Sequence, residues 1–338
     1  MAGTIIDDAA KRIRSSAPPP EAEREFEFFR VGSDRRCDKP ITTILFDLDN
    51  TLIPTRKGDA KACGKIADLL HNEYKLPRNV STAVSTTFLT SYRRCPDNLD
   101  LPLAQWRTQM WEDALPTGHK QLAAQLYRRW AEYRTRYLSP SPEIISMLQT
   151  LRLQYLLGVV TNGPSASQWE KIDRLALGRY FDCILVSADL PWAKPDRNIF
   201  YAACHYLGVQ PEECVIIGDK LETDIQGGLE SKLAATIWLP LPQELRLSHD
   251  KSLADMGGLV NPDYIVENVL DVPSVLPLTT SFCQQRCRPV QERRGSNSYV
   301  PKTTRNRQAS YNRFLPDVPD LYSSSSNSCD SSGTMDSR

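Results

Sequence analysis

The sequence predicts an α/β fold, a Rossmann-like doubly wound parallel sheet with a helical domain inserted after its first strand. Three observations carry that expectation. Short apolar runs alternate with helix-length segments over most of the chain. The runs are continuously apolar rather than alternating, as strands buried on both faces of a parallel sheet are. The first run ends at Phe46 and the second begins only at Tyr155, and everything between them reads as helix.

Taken in order, residues 1–40 are polar, hold a proline run at Pro18–Pro20 and carry eight basic and eight acidic side chains. They are expected to be a disordered leader. Strand one is expected at 41–46. Helical periodicity then marks 59–74, 80–93, 103–114 and 119–137, which together predict a helical cap over residues 59–140. Trp106, Trp111 and Trp130 fall on these helices and are expected to pack inside the cap. Residues 41–58 and 141–278 supply the core. Its further strands are expected at 155–160, 183–186, 214–217 and 234–239, with a weaker sixth at 264–266. Helices at 165–176, 197–207 and 222–231 separate them, and this βαβ rhythm is that of a doubly wound sheet. Residues 279–338 form a basic and then serine-rich tail. Too little apolar surface is available there to offset ordering entropy, so disorder is expected.

Composition narrows the function classes. The chain has 338 residues with 41 basic and 41 acidic side chains. Neutrality argues against a protein that coats nucleic acid along its whole length. The zero is unevenly assembled. Residues 279–338 carry nine basic and five acidic groups, and with a balanced leader this leaves 24 and 28 in the middle. No nucleic-acid partner is expected for that acidic core. An anionic partner for the basic tail is left open, with no residue that identifies one. No apolar run approaches a membrane span, and the early acids Asp7 and Asp8 do not fit a secretory signal. Nine cysteines occur without a CxxC pair; Cys283 and Cys287 form a lone CxxxC. Reduced thiols in a cytoplasmic protein are expected. The four histidines have no catalytic partners nearby in sequence.

Chemistry is concentrated where the strands end, which is where open α/β sheets bind ligands. Strand one runs into Asp47-Leu48-Asp49-Asn50-Thr51, strand two into Thr161-Asn162-Gly163, and strand four into Gly218-Asp219, with Asp224 one helical turn on. Lys194-Pro195 follows strand three. Two carboxylates two residues apart on an extended chain project to one face, and the residue between them projects away. Clustered carboxylates repel unless a hard cation lies among them, and few-carboxylate sites that retain waters suit Mg²⁺. A lysine there cannot ligate metal but can neutralise phosphate oxygens, and a threonine hydroxyl or backbone N–H groups can bind the same oxygens. One carboxylate is then available to attack phosphorus, and its neighbour to protonate the leaving oxygen and activate water.

FDLDNTL, VVTNG, Lys194-Pro195 and IIGDKLETD resemble, in order, the four motifs of the haloacid dehalogenase superfamily. That resemblance implies a core of this fold with a helical cap that closes over small soluble substrates. It implies Asp47 as nucleophile and Asp49 as general acid/base. Mg²⁺ would be held by Asp47, the backbone carbonyl of Asp49, and Asp219, with Asp224 in support. Phosphate would be held by Thr161, Asn162, Lys194 and the backbone N–H groups of Leu48, Asp49 and Asn50. The second aspartate of D-x-D is the phosphatase form; family dehalogenases lack it. Within the family, Ile199–Gly228 and Arg107–Leu115 look most like the branch that dephosphorylates sialic-acid 9-phosphate, over roughly residues 41–278. A small phosphorylated sugar is the implied substrate, with another sugar or nucleotide phosphate, or an inactive scaffold, as alternatives. Arg107, in the matched cap stretch, suits a substrate carboxylate. Four residues depart from the pattern. Lys220 stands where that branch has threonine, Pro54 where an aspartate is common, and Trp192-Ala193 precede the lysine where an acid is usual.

Overall fold

Ile44, Leu45 and Phe46 are fully buried because strands flank them on both sides and helices cover both faces. The computed structural model describes residues 39–96, 101–241 and 260–276. Its six strands are β1 (Thr43–Phe46), β2 (Leu156–Thr161), β3 (Cys183–Val186), β4 (Cys214–Gly218), β5 (Ala235–Trp238) and β6 (Tyr264–Ile265). They form one sheet in the order β3-β2-β1-β4-β5-β6, and every pairing is parallel. The chain runs outward from β1 through β2 and β3, then returns to the other side of β1 for β4. That reversal opens a crevice at the carboxyl ends of β1, β2 and β4.

Side chains alternate across the sheet. Ile44, Phe46 and Leu48 join one apolar cluster with Leu148 and Ile172, while Leu45 joins another with Ile199, Phe200 and Ile216. The first cluster is covered by α5 (Pro142–Leu151) and α6 (Ser165–Arg174), the second by α7 (Arg197–Leu207). Ser141 caps α5 by accepting the Ile144 N–H at 3.4 Å, with Pro142 at the first helical position.

The insertion after β1 holds α1 (Thr55–Asn72), α2 (Arg78–Tyr92), α3 (Leu103–Ala114) and α4 (Ala123–Leu138). These helices bury their own apolar cluster, which includes Ile66, Leu70, Phe88, Trp111, Leu126 and Trp130. Phe88 stacks on Trp111 with ring centroids 3.7 Å apart, a pair worth about 0.5–1.5 kcal/mol beyond its burial. Trp106 is half-buried at the margin of the same cluster.

Some boundaries differ from expectation. α1 begins at Thr55, four residues before position 59, although Gly58 reads as a helix breaker. Gly58 lies where α4 comes closest: a Cβ there would stand 2.7 Å from Leu138 Cδ2. The fourth helix starts late because Thr117–Leu122 takes a 3-10 turn behind Pro116. The expected helix at 222–231 divides into a π turn at Leu221–Ile225 and a short α8 (Gln226–Glu230). The wider turn carries Asp224 back under β4, where its Oδ2 accepts the Lys220 N–H at 3.0 Å.

None of the five described cysteines is joined in a disulfide. No described helix is long and apolar enough to cross a membrane. Residues 1–38, which make up nearly all of the expected leader, lie outside the described residues. So does the whole basic and serine-rich tail, with Cys283 and Cys287.

Candidate active site

Asp47 continues the β1 ladder, its N–H donating to the Ile217 carbonyl at 2.8 Å. Leu48 points into the core, and the two flanking aspartates turn to the crevice, as the period of an extended chain requires. Asn50 then adopts φ +65°, a left-handed conformation that asparagine tolerates, and reverses the chain. Its N–H donates to the Ile53 carbonyl at 2.7 Å, so that donor is already engaged in the loop. Its side-chain amide donates to Asp219 Oδ2 at 3.3 Å.

Asp47, Asp219 and Asp224 are all buried, and one carboxylate oxygen from each lies within 4.8 Å of the other two. Gly218 makes this possible, since a Cβ there would lie 2.3 Å from the Asp224 carboxyl. Trp238 fixes the other side, its indole N–H donating to the Asp219 carbonyl at 3.0 Å. Lys194 reaches into the group: Nζ is 2.7 Å from Asp47 Oδ1 and 2.6 Å from Asp224 Oδ1. Burial, reinforced by Asp224 and Asp49 and opposed by Lys194, raises the Asp47 carboxyl to about 7. Burial and Asp224 raise Asp219 to about 6, against Lys220 and Arg56. Burial alone would lower Lys194, but Asp224 and Asp47 outweigh it and hold the ammonium above its usual range. Two of the three carboxylates, Asp47 and Asp224, thus share one lysine, while Asp219 accepts from the Asn50 amide. An all-oxygen donor set with uncompensated negative charge fits a hard divalent cation such as Mg²⁺.

Thr161 ends β2 fully buried, its Oγ1 accepting from Gln168 Nε2 at 3.0 Å. Asn162 faces the Lys194 backbone. Its Nδ2 donates to the Lys194 carbonyl at 2.9 Å and its Oδ1 accepts the Lys194 N–H at 3.0 Å. The asparagine side chain therefore fixes the loop that delivers the lysine.

Asp49 has different company. Lys171 Nζ lies 2.7 Å from its Oδ1 and 2.5 Å from its Oδ2. Thr55 donates to Oδ1 at 2.5 Å and Gln168 to Oδ2 at 3.1 Å. Burial would raise this carboxyl, but Lys171, with the hydrogen bonds from Lys171, Thr55 and Gln168, outweighs it and brings Asp49 down to about 2. Lys171 is itself lowered by burial, more than Asp49 raises it. Sequence reasoning missed Lys171, Gln168 and Thr55. The available signal was Gln168 and Lys171 three apart on the same helix face as the apolar Ile172.

Arg107 is placed at the junction of insertion and core. It is 1% exposed, ion-paired with Glu170 and within 3.4 Å of Ser167 Oγ, both on α6. Its guanidinium lies over the rings of Tyr92 and Trp130 at 5.4 and 5.5 Å, and Arg134 lies over the same two rings. Arg134 pairs with buried Asp59 of α1 at 2.7 Å.

Residues 44–237 match the model of the haloacid dehalogenase-like hydrolase family. The chain belongs to this family. Among its relatives is the N-acylneuraminate-9-phosphatase of Homo sapiens, 31% identical over 241 residues, covering 70% of this chain and 94% of that protein. Another is the glyceraldehyde 3-phosphate phosphatase of Methanopyrus kandleri, 32% identical over 198 residues, 55% of this chain and 79% of the relative. A crystal structure of a phosphatase of the family from Thermococcus onnurineus is 23% identical. It covers 70% of this chain and 98% of its own, with a TM-score of 0.46.

Proposed function

We propose that this hydrolase is a Mg²⁺-dependent phosphomonoesterase that works through an aspartyl-phosphate on a small phosphorylated sugar, N-acylneuraminate 9-phosphate. The observation that carries the reaction type is the buried group of Asp47, Asp219 and Asp224 around Lys194, with Asp49 two residues from Asp47. The substrate rests on likeness to the N-acylneuraminate-9-phosphatases, which spans nearly all of their length. In the same reading, residues 59–140 are the cap and 41–58 with 141–278 the core.

In this mechanism Asp47 attacks phosphorus in line, forming an O–P bond as the bond to the leaving oxygen breaks. Asp49, ionised beside Lys171 in the resting site, takes up a proton from solvent as substrate enters. It gives that proton to the leaving oxygen, and the sugar alcohol departs. Water then attacks the aspartyl-phosphate, its proton passes to Asp49, and the Asp47–phosphorus link breaks to release inorganic phosphate. Lys194 and the Thr161 hydroxyl offset charge on the transferred oxygens. Asp47, the Asp49 carbonyl and Asp219 would hold Mg²⁺, with Asp224 in support; when bound, the cation supplies Lewis-acid neutralisation of the phosphoryl charge. Arg107, once freed from Glu170, has the donor geometry for the sugar-acid carboxylate.

The test is phosphate release from N-acylneuraminate 9-phosphate, hexose phosphates, glyceraldehyde 3-phosphate and nucleoside monophosphates, with and without Mg²⁺. The expected result is Mg²⁺-dependent release with the highest kcat/KM on the sugar-acid ester. A higher value on another ester reassigns the substrate. Absence of release from all of them, with Mg²⁺ bound, leaves the scaffold reading.

A further inference from the structure

The face that α6 turns toward the core should be apolar, and Ile172 obeys that rule. Gln168 and Lys171 break it, with exposures of 1% and 5%. A lysine withdrawn from water is strongly disfavoured unless a partner compensates it. Here the partner is Asp49, 122 residues away in sequence. The ammonium bridges both carboxylate oxygens, while Gln168 and Thr55 each take one. Three side chains thus fix the plane of the carboxylate as well as its place. Gln168 also ties this arrangement to the phosphate side, donating to Thr161 Oγ1 at 3.0 Å and the Asn162 carbonyl at 2.7 Å.

We infer that Lys171 is a positioning residue for phosphoryl transfer, its ammonium holding both oxygens of Asp49 in the orientation from which Asp49 serves the leaving oxygen. Asp49 only accepts hydrogen bonds at rest, so the proton it donates is drawn from solvent as substrate enters. Lys171 acts through Asp49, keeps its own protons and touches neither phosphorus nor the leaving group. The inference rests on the reading of Asp49 as proton donor. No such role was visible in the four motifs, all of which lie elsewhere.

The leaving group separates this role from a structural one. A sugar alkoxide departs poorly without a proton, whereas p-nitrophenolate departs without help. The value of kcat/KM reports formation of the aspartyl-phosphate and is independent of its later hydrolysis. With Mg²⁺ present, Lys171→Met is expected to lower kcat/KM for an alkyl phosphate on the order of 100-fold, and for p-nitrophenyl phosphate about tenfold less than that. Asp49→Asn serves as the control and must show the same split. Its absence there would overturn the proton-donor reading, whatever Lys171 does. With the split present in Asp49→Asn, equal losses on both esters in Lys171→Met, or no loss, overturn the inference. The double variant should fall no further than Asp49→Asn alone, and additive losses overturn it too. Should Lys171→Met not fold, Lys171→Gln, which retains a donor without the charge, carries the same comparison.

Discussion

Asp47 and Asp49 leave one strand two residues apart, both in the crevice, and their surroundings push them in opposite directions. Asp49 has Lys171 to itself and two further donors, and its carboxyl is brought down to about 2. Asp47 shares Lys194 with Asp224, has Asp219 close by, and is raised to about 7. The Asp49 side is complete in charge as it stands. The Asp47 side is a cation short. A buried carboxylate becomes a usable nucleophile only in its ionised form, so the Asp47 side calls for a further positive charge and the Asp49 side does not.

The largest effect should come from the nucleophile. Asp47→Asn replaces the carboxylate nucleophile by a neutral amide but keeps the shape and relieves repulsion with Asp224 and Asp219. Turnover should fall to the detection floor, measured as phosphate release, with a melting temperature no lower than wild type. Full activity in this variant would sink covalent catalysis at this residue.

The cation deficit can be read by pH. In the metal-free protein Asp47 and Asp219, at about 7 and about 6, lie above the usual value near 4 that they regain on unfolding. The folded state then binds more protons than the unfolded one between about pH 4 and pH 7, so stability from these groups falls as pH rises through that window. Asp49 has the opposite sign. Its contribution is in place above about pH 4 and is lost only as pH falls toward 2. Mg²⁺ competes with the protons on Asp47 and Asp219. It should therefore raise the melting temperature more at pH 8 than at pH 5, with calorimetric affinity increasing over the same interval. Affinity independent of pH would break the contrast between the two aspartates.

The same contrast explains what the sequence revealed. Asp47, Asp219, Thr161 and Lys194 could be found because buried parallel strands read as apolar runs, and polar residues at their ends stand out. The sheet could be read for the same reason. Lys171 could not. A lysine on an amphipathic helix looks like a solvated charge, and only the fold brings Asp49 against it. Arg107 was singled out as a carboxylate binder, but the fold alone reveals its partner Glu170, on the opposite side of the insertion junction. The π turn was hidden because Leu221–Glu230 has ordinary helical composition. What bends it is the Asp224 carboxylate folding beneath Gly218.

The smallest effect sharpens the comparison most finely. Lys220 follows Asp219, and its side chain is exposed, so it adds positive charge to the deficient side from the solvent rather than from within. It lowers the Asp219 carboxyl, partly doing what a cation would do, and it repels a cation that arrives. An exposed charge at such range is worth about 0.5–1 kcal/mol, which converts to roughly a two- to fivefold change in affinity. Lys220→Thr should therefore tighten Mg²⁺ binding by that factor in calorimetry. Screening weakens solvent-exposed interactions far more than buried ones, so the difference should shrink between 0.05 and 0.5 M salt (roughly a threefold drop in Debye length). A gain that persists at high salt would mean that Lys220 acts through the backbone of the π turn, where its N–H already holds Asp224.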